Sequence, residues 1–171
     1  MNSHQVSVAA ESFAASIFAQ AGFDVLVQYG ANQPDYDLVA VSKNFVSKVS
    51  VKGSQDGGWA LAVSKKKKGQ NVSYFTAIDL WRTCQKDDII FCFVQYWRIS
   101  IGNAPRVYLA TVKEVAARLK EQWNGRGHLA LFEDYRAIHP KSGFNDQIPS
   151  HWKFSKERLE EVISLVSKTI K

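Results

Sequence analysis

A chain of 171 residues, 46% of them hydrophobic, can bury a core as one domain and is short for two, so residues 1–171 are read as a single domain. Lysine and arginine total 22 against 16 aspartates and glutamates, a formal charge of +6, which leans toward an anionic partner such as nucleic acid. The apolar runs are far shorter than a membrane span, and "MNSHQVSVAAESF" lacks the basic start and unbroken apolar stretch of a secretory signal, so the expectation is a soluble, cytoplasmic protein with no membrane partner.

From about Ser7 to Gln20 the residues Ala10, Phe13, Ala14, Ile17 and Ala21 recur at helical spacing, and Gly22 is a natural stop. "DVLVQY", Asp24 to Tyr29, is short and branched and runs into the turn-rich "GANQPD", which predicts a strand and then a loop. "DLVAVS" and "VSKVSVK" read as two further strands joined by a short "KNF" connection that suits a hairpin. "WALAVS" is a candidate fourth strand. The tetralysine Lys65, Lys66, Lys67 and Lys68 must be a solvated loop, because four adjacent ammonium groups cannot be buried.

"NVSYFTAIDLWRTC" is ambiguous, whereas "DIIFCFVQYW" is apolar at nearly every position, as a central strand covered on both faces would be. "RVYLA" repeats that signal more weakly. In "TVKEVAARLKEQW", Thr111 with Glu114 three residues on is the pairing that caps a helix start. The segment "GRGHLALFEDYRAIHPKSGFNDQIPS" reads as mostly irregular, and "HPKSGFNDQIPSHW" as a loop packed over the core. After Ser155, the stripe Leu159, Val162, Ile163, Val166 and Ile170 marks a last amphipathic helix whose C-terminal lysines suit its dipole. Together these patterns predict an α/β layered domain.

In this order, a helix carrying Glu11, a strand, "PDYDLVAV" and a strand ending in "VSVK" resemble the core of the PD-(D/E)XK nuclease superfamily, which includes restriction endonucleases and archaeal Holliday-junction resolvases. "GWALAV", "DIIFCFVQYW" and "VYLATVKEVA" continue the resemblance over the first two thirds of the chain. It implies a restriction-endonuclease-like three-layer α/β/α fold with a central mixed sheet, and a metal-dependent endonuclease acting on DNA.

Phosphodiester hydrolysis near neutral pH uses a divalent ion to neutralise phosphate oxygens and acidify the attacking water, and magnesium takes oxygen ligands. The resemblance makes Asp37 a ligand of Mg or Mn, with Asp35 the weaker choice, and makes Lys52 the ammonium that steadies phosphate charge or orients water. It gives Glu11 a place in the metal shell, together with the Val51 carbonyl. Without the resemblance, Asp35 is a turn residue after proline, Asp37 a carboxylate at a strand end, Lys52 a snorkelling lysine and Glu11 a helix-surface acid.

Ser50 stands where the family carries an acid, and a neutral hydroxyl binds a hard cation poorly. Three readings follow: a weakened site on Asp37, Glu11 and Val51; an acid migrated to Asp56, in a "GSQDGG" segment that is otherwise a plain turn; or a module that has lost cleavage and binds nucleic acid or a partner protein, of regulatory or immunity type. A purely structural domain with an incidental basic surface is the remaining alternative, and a homodimer is compatible with any of these. Lys65 to Lys68 are candidate phosphate contacts. The five tryptophans, Trp59, Trp81, Trp97, Trp123 and Trp152, read as core or seam residues before they read as base-stacking platforms. His4, His128, His139 and His151 lack zinc-ligand spacing, and Cys84 and Cys92 read as buried free thiols.

Overall fold

The computed structural model describes residues 1–28, 35–43, 45–65 and 72–167. Helix α1, Ser3–Gln20, begins earlier than its apolar periodicity suggests. Asn2 and Gln5 form a reciprocal capping box ahead of the apolar stripe, and these two bonds satisfy amides that would otherwise fray. Strands β1, Asp24–Val27, β2, Leu38–Ser42, and β3, Phe45–Ser54, form an antiparallel meander. Tyr29, which the sequence pattern includes in the first strand, lies outside the described residues.

The expected fourth strand is shorter than "WALAVS". Strand β4 covers only Gly58–Ala60, and Val63–Lys65 form a 3-10 turn. The ambiguous segment is helix α2, Tyr74–Thr83, started by the Ser73 hydroxyl accepting from the Thr76 amide. Strand β5, Ile89–Gln95, is buried at every residue and lies between β3, to which it runs parallel, and the antiparallel β6, Arg106–Thr111. The five strands therefore form one mixed sheet in the order β1-β2-β3-β5-β6.

Helix α3, Val112–Gly125, carries the expected Thr111–Glu114 capping box, but its backbone leaves helical geometry at Gln122. Trp123 and Asn124 are left-handed, at φ 55° and 54°, and the Trp123 amide donates to Asp146 Oδ2 at 2.9 Å. The segment read as irregular contains strand β7, Ala130–Phe132, which pairs with β4 in a separate ribbon, and the single-turn helix α4, Tyr135–Ile138. Its three-residue strand is too short to give a period. Helix α5, Lys156–Ser167, buries Leu159, Val162, Ile163 and Val166 as its stripe requires, while Ile170 lies outside the described residues.

Alternation along β5 divides the core. Ile89, Phe91 and Phe93 point into a cluster with α2, α3 and Trp59, whereas Ile90, Cys92 and Val94 point into one with α1 and α5. Helices thus cover each face of the sheet, which is why β5 is apolar throughout. Cys92 is buried as expected, and burial pushes its thiol up to about 12, with the Asp37 charge adding to the effect. Cys84, in contrast, is exposed at the end of α2. Among the described residues no helix is long and apolar enough to cross a membrane.

Candidate active site

The site lies where the β2–β3 hairpin meets α1. Because β2 starts at Leu38, opposite Val49, Asp37 is the residue that leaves the ladder. Its amide donates to the Val49 carbonyl at 2.8 Å. Its carboxylate turns back on β3, where Oδ2 accepts the Val51 amide at 2.6 Å and the Ser50 hydroxyl at 3.3 Å. Ser50 is only 4% exposed, so its hydroxyl holds the Asp37 carboxylate in place from within the fold. Val51, expected to contribute its carbonyl, also contributes its N–H. In an extended strand the two groups of one residue project toward the same side, so the Val51 carbonyl faces the same edge of β3.

Residues two apart on a strand share a face, so Ser50 and Lys52 project together. The indole Nε1 of Trp59, itself buried, donates to the Lys52 carbonyl at 2.8 Å and ties β4 to the backbone of the site. Gly53 supplies the approach of α1. A Cβ there would sit 2.9 Å from Ala10 Cβ, Val6 Cγ1 and the Val6 carbonyl, closer than packed atoms tolerate. Only glycine allows the helix this near the strand, and Glu11, the next residue after Ala10, is thereby brought over the strand end.

Glu11, Asp37, Val51 and Lys52 line one cavity of about 450 Å³, together with Asp56. Ser50 lines an adjoining cavity of about 250 Å³, which shares Asp37 and Lys52 with the first. Burial, and then the Asp37 charge, raise the pKa of Glu11, while Lys52 and His4 pull it the other way. Among the described residues Lys52 forms no ion pair. The cavity therefore sets two carboxylates against each other beside an uncommitted ammonium.

The remaining candidates lie apart from this centre or take fold-internal partners. Asp35 pairs with Lys86 at 2.6 Å at the rim of the smaller cavity. Asp56 accepts from the Ser54 hydroxyl at 2.9 Å in the turn after β3, as a turn residue does. Lys65 ends the 3-10 turn, and its Nζ lies 3.2 Å from Cys84 Sγ. Lys66, Lys67 and Lys68 lie outside the described residues. Trp59, Trp81 and Trp152 are core residues. Sequence reasoning missed the supporting roles of Trp59 and Gly53; a glycine directly after a strand lysine was the available signal.

Among the described residues no three His, Cys, Asp or Glu side chains form a group able to cage a metal. The pair present still fits magnesium, which commonly takes one or two protein carboxylates and completes its shell with water and phosphate oxygens. The Asp37 charge felt by Glu11 is a repulsion that a cation between them would remove. No protein-family model matches the chain, and no curated protein matches it.

Proposed function

We propose that this protein is a restriction-endonuclease-like three-layer α/β/α domain of the PD-(D/E)XK type that hydrolyses phosphodiester bonds in DNA. The observation carrying this reading is the shared cavity of Glu11, Asp37 and Lys52, side chains far apart in sequence that meet at the end of one strand. Mg or Mn held by Asp37, Glu11 and the Val51 carbonyl would supply charge neutralisation and an acidified water. Lys52, which forms no ion pair among the described residues, steadies the negative charge that develops on the phosphate. Ser50 and the Val51 amide fix one oxygen of Asp37, which leaves the other for the cavity. The basic run Lys65 to Lys68 would supply phosphate contacts.

The Ser50 bond also favours a second reading. A hydroxyl donor in place of an acid satisfies Asp37 without a cation, as expected of a non-catalytic module that binds nucleic acid or a partner protein in a regulatory or immunity role. Calorimetric titration with manganese, paired with cleavage of plasmid and branched DNA, separates the two. Under the nuclease reading the wild type binds the ion, Ser50→Glu binds it more tightly and cleaves faster, and Asp37→Ala in that background is inactive. No ion binding by either folded protein would remove the nuclease reading and leave the binding module.

A further inference from the structure

Asp56 and Gly58, in the turn after β3, line the candidate active site. Gly57 between them touches the wall of a third cavity, of about 490 Å³. Its carbonyl accepts the Glu133 amide at 2.9 Å, and a Cβ on it would lie 3.4 Å from the Trp97 ring. Gln95, fully buried, locks this arrangement: its Oε1 accepts the Trp97 amide at 2.9 Å and its Nε2 donates to the Ser54 hydroxyl at 3.1 Å. The loop after β5 is thereby held in register with the end of β3, the strand that carries Lys52.

Five charged side chains line this third cavity: Arg98, Arg106, Lys153, Glu133 and Asp134. Three of them are committed within the fold. Arg106 donates to both oxygens of Glu133, and Asp134 accepts the Ala137 amide at 2.9 Å and the Gln147 side-chain amide at 3.2 Å. The two that remain are both cations and both exposed. Among the described residues neither Arg98 nor Lys153 forms an ion pair. Arg98 also sits where the backbone least favours it. It is the third residue of a turn closed by the Ile99 amide on the Tyr96 carbonyl at 3.0 Å, and its φ is 57°, a position that suits glycine or asparagine. Its guanidinium lies 4.1 Å from the centroid of the half-buried Trp97 ring, so the charge is displayed from a fixed support.

Two uncommitted cations on a concave wall whose acids are already satisfied are the chemistry of an anion site. A side chain carried on backbone in a sparsely populated region is a further mark of a functional position. On this basis we propose that Arg98 and Lys153 contact backbone phosphates of the nucleic acid whose scissile phosphodiester lies at Lys52. The inference rests on the nucleic-acid reading above and deepens it: the bound strand crosses the turn after β3, and its register is set by Arg98 and Lys153 as well as by Lys52.

Arg98→Gly makes the test sharp, because glycine is a residue this turn prefers and the variant keeps its fold. Affinity for a labelled duplex is read by fluorescence anisotropy across salt concentrations, with EDTA present so that nothing is cut. The proteins are the wild type, Arg98→Gly combined with Lys153→Ala, and, as a control, Lys156→Ala, an exposed lysine that lines neither this cavity nor the candidate active site. Each phosphate contact contributes about 0.9 to the log–log slope of affinity against salt, so the double variant should flatten the slope by about 0.9 if the two cations share one phosphate and by about 1.8 if they hold two. The control should leave it unchanged. An unchanged slope in the double variant, or an equal flattening in the control, would overturn the phosphate site and leave nucleic-acid binding standing. A flattened slope in a protein that cuts nothing when magnesium is added would remove the nuclease reading and keep the site. Failure of the wild type to bind the duplex would remove both.

Discussion

Arg158 and Asp37 each bring a full charge to the sheet, in contrasting company. Arg158 is 3% exposed, and its guanidinium donates to the Leu109 carbonyl, to both oxygens of Glu114 and to Glu161. It joins α5, β6 and the capping box of α3 into one unit. On β6 as well, Glu133 accepts Arg106 through both oxygens and the Tyr108 hydroxyl at 2.7 Å. Burial and then the Glu133 bond push the Tyr108 pKa up, so that phenol remains a donor. At the Glu11–Asp37 cavity the fold supplies Asp37 with a hydroxyl and an amide, and leaves Glu11 facing a like charge and Lys52, among the described residues, without an ion pair. Where the fold uses charge for its own cohesion it completes the shell; where it does not, an external partner is the physical remedy.

The largest expected effect is on the completed shell. Arg158→Ala strands Glu114 and the Leu109 carbonyl, and should lower unfolding free energy by about 3–5 kcal/mol in urea melts. Lys52→Ala should move the same melts by no more than roughly 0.5 kcal/mol. Comparable losses in the two variants would erase the contrast. Next comes chemistry: in a cleavage assay with magnesium, Lys52→Ala should reduce the rate on the order of 100-fold or more, as expected for losing a donor to developing phosphate charge.

Glu133→Gln should come third. It exchanges a charge-assisted acceptor of Arg106 and Tyr108 for a neutral one, with a loss on the order of 1.5–3 kcal/mol in denaturant melts. DNA cleavage should be unaffected when assayed well below the melting temperature.

The smallest effect has a definite sign. Glu11 has a folded pKa above its ordinary value of 4.5, so between the unfolded and folded values the native state binds more protons. Stability then falls as pH rises through that window. Glu11→Gln should therefore melt higher than wild type at pH 7, with the difference vanishing as pH drops below 4.5. Millimolar manganese should raise the melting temperature of the wild type and not of the variant. A variant less stable at neutral pH would mean that Lys52 already neutralises Glu11.

The long elements were legible because burial imposes a period. The stripe of α5 and the uninterrupted apolar run of β5 follow directly from packing on one face and on two. Helix α2 was ambiguous because its start depends on a single serine cap, and β7 was invisible because three residues cannot show alternation. β4 was overextended because "WALAVS" alternates correctly for longer than its partner strand lasts. Within the site, Glu11, Asp37, Val51 and Lys52 could be named from motif order, but their meeting at one cavity depends on how closely α1 lies on β3, which no local pattern encodes. Ser50 was visible as a departure, whereas its hydrogen bond to Asp37 depends on how β2 and β3 pair.

That closeness depends on one missing methyl group. Because Gly53 lies against Ala10 and Val6 with no room for a Cβ, the separation between the strand and the helix is set by a residue that carries no functional group. Gly53→Ala would move Glu11 away from Asp37 and Lys52 while leaving every carboxylate and ammonium in the protein chemically intact. The site thus has an adjustable gap, in which spacing can be varied as a quantity separate from charge.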